Sequence, residues 1–320
     1  MGAGTAPRER IARSPGTSGL LTRAYSPSMT DHSPIISPEA LAADLARPDL
    51  RVIDVRWVLG SPGVGRAAYE AGHIPGAIHL DIDTDLVAVD GPGRHPLPSP
   101  GRFRDRLEVA GISTTDEVVA YDDVGGWVAA RLWWMLDELG HARVRVLDGG
   151  FPAWVAAGLP ITAEPPAARA HGRLDLRHSW TNVIDRDGVA AGLGTFALLD
   201  ARGGPRYRGE VEPIDAVPGH IPTARHAPID GNLGPDGRLL DPASLAERFR
   251  TLDADGMDGR VVTSCGSGVS ACFNSLAMRI AGLPDPILYP GSYSDWSRAG
   301  LPIAIGPEPG DPPESIAPQR

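Results

Sequence analysis

The sequence predicts an α/β protein built from two tandem domains, each organised around a parallel sheet, and three observations carry that expectation. The first is internal repetition. Val52-Ile53-Asp54-Val55-Arg56 is echoed by Leu198-Leu199-Asp200-Ala201-Arg202, and Gly72-His73-Ile74-Pro75 returns as Gly219-His220-Ile221-Pro222. Val118-Val119-Ala120-Tyr121 is matched by Val261-Val262-Thr263-Ser264, and Asp148-Gly149-Gly150-Phe151 up to Trp154 by Pro290-Gly291-Ser292-Tyr293 up to Trp296. Ala157-Gly158-Leu159-Pro160-Ile161 recurs unchanged as Ala299-Gly300-Leu301-Pro302-Ile303. The matches keep one order, and the offset stays between 147 residues (Gly72 to Gly219) and 142 (Ala157 to Ala299), which marks a duplicated domain. The second observation is that short β-branched runs alternate with helical patterns, as in βαβ units. The third is length: 320 residues suit two domains of roughly 100–150 residues each.

In chain order, residues 1–34 are rich in Ser, Gly, Pro and Arg and lack an apolar core segment, so they read as a disordered tail, with Met29 an alternative start, and not as a secretory signal. The first domain is expected over 35–163. Within it 52–55, 118–121 and 144–147 are short, apolar and bounded by turn residues, as buried strands are. Between the last two, Leu132, Met135, Leu136 and Leu139 fall at helical spacing in 128–139. A Pro- and Ala-rich linker is expected over 164–178, and the second domain over 179–305. There, strand 261–264 runs into a Gly-containing loop. Phe273, Leu276, Ala277 and Ile280 then mark a helix over 271–280. Residues 306–320, rich in Pro and acids, read as a second disordered tail.

Composition narrows the function. The formal charge of −10 and the absence of a basic, aromatic-laced stripe argue against nucleic acid as a partner. No apolar run approaches the ~20 residues that span a bilayer. All 30 basic residues are arginine, so no mechanism can use a lysine amine. Two cysteines, Cys265 and Cys272, are too few for a disulfide scaffold and show no zinc-type spacing, so neither metal nor organic cofactor is expected and a reducing, cytoplasmic setting is.

Chemistry concentrates in Cys265-Gly266-Ser267-Gly268-Val269-Ser270, which joins strand 261–264 to helix 271–280. The glycines let the backbone curl so that successive N–H groups point inward, and the following helix adds its unpaired N–H groups. Both favour an anion at sulfur, and thiols in such settings fall from a pKa of about 8.5 to about 3.5–7.5. The thiolate is the nucleophile that sulfur chemistry needs. A buried structural cysteine is the alternative; the carboxyl end of a strand, where open α/β sheets place ligands, argues for function. Cys272, inside the helix among apolar neighbours, reads as core.

Cys265-Gly266-Ser267-Gly268-Val269-Ser270-Ala271 resembles the active loop of rhodanese-like sulfurtransferases, in the form typical of 3-mercaptopyruvate enzymes. Gly219-His220-Ile221-Pro222 and Gly291-Ser292-Tyr293-Ser294-Asp295-Trp296 resemble two further signatures of that superfamily. The resemblance implies two rhodanese-like domains, each a parallel sheet with helices on both faces, and a sulfane sulfur carried as a persulfide on Cys265. It implies a small anionic donor, mercaptopyruvate or thiosulfate, and a thiol, thioredoxin or cyanide acceptor. The first copy carries Asp122 where the second has Cys265 and is expected to be inactive.

By the same resemblance Arg206 binds the donor; its planar fork suits a carboxylate or oxyanion. Mercaptopyruvate enzymes carry a second arginine where this chain has Ile214, which points back toward thiosulfate. Ser267 and His73 match two members of a proposed proton relay, and the segment 60–65 before His73 lacks the expected acid, Glu70 being the nearest substitute. His-Ile-Pro occurs in both copies, however, which suits a structural turn. The pairs Asp54/Arg56 and Asp200/Arg202, and Trp154 and Trp296, are likewise shared and read as structural, whereas Tyr293 and Ser294 differ between copies and are candidates to touch the pocket. A cysteine phosphatase would need an arginine six residues after Cys265, where Ala271 stands. A non-catalytic binding protein would not need an intact Cys265 loop with Arg206. The pocket is expected at the seam between domains.

Overall fold

The computed structural model describes residues 33–252 and 260–316. The first domain contains β1 (Ile35–Ile36), α1 (Pro38–Asp44), β2 (Leu50–Asp54), α2 (Val64–Ala71), β3 (Ile78–His79), α3 (Ile82–Asp85), α4 (Pro100–Val109), β4 (Glu117–Tyr121), α5 (Ala129–Glu138), β5 (Val144–Leu147) and α6 (Gly150–Ala156). The second contains α7 (Arg186–Gly192), β6 (Ala197–Asp200), α8 (Gly204–Tyr207), β7 (Arg225–His226), α9 (Pro242–Thr251), β8 (Val261–Ser264), α10 (Ala271–Ile280), β9 (Ile287–Leu288) and α11 (Ser292–Arg298).

Both sheets are parallel throughout, in the orders β1-β5-β4-β2-β3 and β7-β6-β8-β9. The second sheet repeats the first even at its edge, where a single parallel bridge from Val183 to Leu288 stands in the place of β1. Helix starts follow from sequence: Ser37, Ser99 and Asp241 cap α1, α4 and α9 with their side chains, each followed by proline.

Alternation along the central strands sends successive side chains to opposite faces, and each face has helices to meet them. In the first domain Ile53, Val118 and Ala120 pack with Phe103 and Leu107 of α4 and with Leu132, Met135 and Leu136 of α5. Val52, Val119 and Tyr121 pack on the other side with Leu41 of α1, Tyr69 of α2 and Trp154 of α6. In the second domain Leu198 and Val262 meet Val189 of α7 and Trp296 of α11, while Leu199 and Val261 meet Leu245 and Phe249 of α9 and Ala277 of α10. Trp154 and Trp296 are fully buried, each donating its indole N–H to a proline carbonyl (Pro160, Pro302) at 2.8 Å. The duplicated Asp–Arg pairs are also structural: Arg56 and Arg202 each bind their aspartate and reach on to the carbonyl of Gly72 or Gly219.

The two domains share core. Val269, Ala271, Cys272, Phe273 and Leu276 from the second copy belong to the same buried cluster as α5 of the first.

Two segments depart from expectation. Residues 164–178 are no loose spacer. Leu174 and Leu176 are buried in the first core, and backbone bonds from Gly172 to Glu108 and from Arg177 to Leu139 pin the segment down. Residues 306–316, expected as part of a disordered tail, lie on the second domain: Thr223 donates to Pro309, His220 binds the Glu308 carbonyl, and Ile316 packs on the core. Both segments follow a copy's last repeated motif, and His73 binds the Glu164 carbonyl as His220 binds that of Glu308. The expected tail over 1–34 falls outside the described residues up to 32, and so do 317–320. Among the described residues no helix is long and apolar enough to cross a membrane.

Candidate active site

β8 lies between β6 and β9, buried along its length, and delivers Cys265 at its carboxyl end. From there the backbone curls as expected: the N–H groups of Ser267 and Gly268 point at Cys265 Sγ, at 3.4 and 3.0 Å. Gly268 makes this curl possible. Its φ is +77°, and a Cβ there would stand 2.5 Å from the Pro290 carbonyl oxygen, so only glycine fits. The loop is held from outside by the start of α11. Ser292 Oγ accepts from the Cys265 N–H at 3.0 Å, while the N–H groups of Tyr293 and Ser294 donate to the carbonyls of Cys265 and Gly266. Tyr293 and Ser294 thus support the loop from behind. Val269 and Ser270 complete it and pass into α10.

Cys265 is 2% exposed, yet it sits on the floor of a pocket of about 340 Å³ between the domains, walled by Trp57, Leu59, Arg94 and Trp127 from the first copy and by Arg202 and Arg206 from the second. Cys272 stays in the core: its thiol donates to the Gly268 carbonyl at 3.4 Å, and burial pushes it up to about 12, so it is no nucleophile at neutral pH.

Arg206, on α8, reaches the mouth of the loop, its fork bound to Glu212 and to Asp215. Arg94, from the first copy, binds the same Asp215. A methyl group on Gly266 would lie 2.8 Å from Arg94 Nη2 and 3.5 Å from Arg206 Nη1, so both guanidinium groups overhang the residue next to Cys265. Burial alone would push the Glu212 carboxyl up, but N–H donation from Asp215 and Ile214 and the Arg206 fork hold it below the usual range. Arg94 thus supplies a second guanidinium beside that of Arg206, from the first copy and not from position 214, where Ile214 stands.

Ser267 Oγ lies 2.7 Å from His95 Nδ1, and His95 Nε2 lies 3.1 Å from Asp83 Oδ1. The other Asp83 oxygen accepts the Trp57 indole N–H at 2.8 Å, which fixes the carboxylate in place. Burial pushes the His95 imidazole down to about 4, with Arg131 and Arg94 adding to the effect and Asp83 opposing it. The ring is thus neutral at physiological pH. With Asp83 accepting at Nε2–H, Nδ1 is left to accept the Ser267 hydroxyl proton.

His73 is not part of this chain. Its Nδ1 binds the Tyr69 carbonyl and its Nε2 the Glu164 carbonyl, and its ring stacks on Tyr69 at 4.0 Å. His220 makes the same bonds to Tyr207 and Glu308. Both ring nitrogens of His73 face backbone carbonyls, whereas the Ser267 hydroxyl meets His95. Glu70 is likewise elsewhere, exposed beside Arg66. A sequence signal for His95 did exist: the first copy has a histidine between β3 and α4, whereas the second copy has none between β7 and α9.

In the first copy the equivalent loop is closed on itself. Asp122 Oδ1 accepts from the N–H groups of Val124 and Gly126 and Oδ2 from those of Val128 and Ala129, at 2.8–2.9 Å. A carboxylate fills the cradle that in the second copy faces sulfur.

A family model for the rhodanese-like domain matches residues 37–157 and again 185–299. The chain is a member of the rhodanese family. A Pseudomonas aeruginosa protein bearing the name 3-mercaptopyruvate sulfurtransferase is 44% identical over 279 residues, covering 85% of this chain and 98% of its own. A Mycobacterium tuberculosis protein bearing the name thiosulfate sulfurtransferase SseB is 40% identical, covering 82% of this chain and 93% of its own. Among solved structures, the 3-mercaptopyruvate sulfurtransferase of Leishmania major superposes with a TM-score of 0.74 at 32% identity, covering 84% of this chain and 75% of its own. This rhodanese-family chain is accordingly a sulfurtransferase, acting on a sulfur donor and a thiol acceptor.

Proposed function

We propose that this sulfurtransferase takes its sulfur from 3-mercaptopyruvate and carries it as a persulfide on Cys265. The observation that carries the choice of donor is the Ser267–His95–Asp83 chain beside the nucleophile. Sulfite leaves thiosulfate as a stable anion and needs no proton. Pyruvate leaves mercaptopyruvate as an enolate and does.

Arg206 and Arg94 hold the donor carboxylate over Gly266. The Cys265 thiolate attacks the mercapto sulfur: an S–S bond forms, the C–S bond breaks, and its electron pair moves to carbon 3 to give the enolate. The proton that leaves the mercapto sulfur ends on carbon 3 by way of Ser267 and His95, giving pyruvate, with Asp83 stabilising the transient imidazolium. The N–H groups of Ser267 and Gly268 stabilise the persulfide anion. An acceptor thiolate (a small thiol or thioredoxin) or cyanide then attacks the outer sulfur and restores the thiolate. A reducing, cytoplasmic setting suits this cycle, since both cysteines are free.

The test compares both donors on wild type, Cys265→Ala and Asp83→Asn. Incubation with mercaptopyruvate adds one sulfur by mass spectrometry, and Cys265→Ala abolishes the gain. Asp83→Asn lowers kcat for mercaptopyruvate by about 10²–10⁴-fold while changing the thiosulfate rate by less than about threefold. Wild-type preference for thiosulfate, or equal losses with both donors, would overturn the assignment.

A further inference from the structure

Beneath the catalytic loop lies a cation that the reaction as written does not use. Arg131, on α5 of the first copy, is fully buried. Its Nη1 donates to the Gly268 carbonyl of the catalytic loop at 2.9 Å, and its Nη2 to the His95 carbonyl at 3.0 Å. Its Nε has no hydrogen-bond partner among the described residues. One guanidinium from the first domain thus grips both the loop that presents Ser267 and the residue that Ser267 meets.

The charged and titratable groups around the nucleophile show what is unusual here. Arg94 and Arg206 are balanced by Asp215 and Glu212, and Arg202 by Asp200. His95 has Asp83 behind it, and Asp230 on the pocket wall faces Arg248. Arg131 makes no ion pair with a carboxylate among the described residues. The groups whose charge favours its own are two sulfurs, Cys272 and Cys265. Cys272 stays protonated, pushed up to about 12 by burial. Gly268 links Arg131 to Cys265, its carbonyl accepting from the guanidinium while its N–H points at Sγ, which leaves the charge that sulfur carries in transfer as the counter-charge. A buried guanidinium without a permanent anion costs stability, and this one lies under the loop whose sulfur is anionic in the proposed cycle.

We propose that Arg131 is the positioning residue that joins the two halves of the site, holding the catalytic loop and His95 at their working separation and balancing the negative charge that Cys265 carries in transfer. The proposal rests on Cys265 being the nucleophile, but not on which donor is used.

Two measurements test it on the full chain: donor kinetics, and inactivation by iodoacetamide as a function of pH, which needs no sulfur donor. In Arg131→Met, kcat falls by about 10–100-fold with KM within about twofold, because Arg94 and Arg206 still bind the donor. The pH of half-maximal alkylation rises by about one unit or more, as expected when a nearby cation is lost. Arg131→Lys restores the alkylation midpoint but reaches only one of the two carbonyls, so kcat stays about fivefold or more below wild type. A folded Arg131→Met with an unmoved alkylation midpoint overturns the proposal. Should Arg131→Met fail to fold, Arg131→Lys decides alone: wild-type kcat in that variant overturns it, and reduced kcat with an unmoved midpoint supports it. Because alkylation reports on the thiol directly, a chain inactive with mercaptopyruvate would sink the donor assignment and still leave this result readable.

Discussion

At His95 the consequence of burial is a proton-affinity shift with a readable sign. The imidazole is pushed from its ordinary 6.5 down to about 4, so it remains a neutral base well into the acid range. For mercaptopyruvate, kcat/KM should therefore keep its plateau through pH 6 and lose activity with an acid midpoint near 4, which a pH–rate profile checks directly. A midpoint near 6.5 would mean that the ring is solvated. The same shift affects stability: below about 6.5 the unfolded chain binds this proton first, so the fold weakens as pH falls toward 4. Some of these side chains were legible in the sequence and others were not, for a physical reason. Cys265, the proposed nucleophile, announces itself because a reactive thiol at a strand end needs a local loop chemistry, and Arg206 stands out by the family resemblance. His95 meets Ser267 across 172 residues of chain, and Arg94 meets Asp215 across 121. No local pattern encodes such contacts. His73 was the natural alternative because it is a histidine in a signature motif, but its duplication in His220 marks it as part of the fold's turn.

Among the elements, the catalytic loop is the one whose conformation depends on a single residue. Gly268→Ala places a methyl 2.5 Å from the Pro290 oxygen at a φ of +77°. The expected cost is about 1–3 kcal/mol of stability, together with loss of sulfur loading as the Gly268 N–H turns from sulfur; thermal melting and mass spectrometry measure the two parts separately. The regular elements were the most legible. β5 and β8 appear over the residues their composition marked, α10 spans all of 271–280, and α5 falls within one residue of each end of the expected 128–139. Their apolar periodicity is imposed by burial on one face or two, and it is written locally. The segments 164–178 and 306–316 were not legible, because prolines and charges suggest a solvated linker while a few apolar residues and backbone bonds hold each segment down. Leu174, Leu176 and Ile316 supply that hold.

For the whole molecule, the shared core and the shared site have one consequence. α5 and α10 bury their apolar faces in a single cluster drawn from both copies, and Asp83, Arg94, His95 and Arg131 all come from the copy that lacks Cys265. Calorimetry of the full chain should show one cooperative transition and not two, and the second domain alone should expose the α10 face and have no activity toward mercaptopyruvate. Two separate transitions would show that the domains are held together only by the linker. Duplication was readable from the repeated motifs, and so was the missing cysteine of the first copy; what was not readable is that this copy supplies Asp83, Arg94, His95 and Arg131 to the site, since those contacts cross between copies. Asp122 makes that division permanent. Its carboxylate occupies the first loop as a tenant that cannot leave, so a thousand chains loaded with sulfur and then freed of donor should yield a thousand thiocyanates to cyanide and no more. The proposed persulfide on Cys265 gives sulfur a single berth in each chain and no second stop along the way to the acceptor.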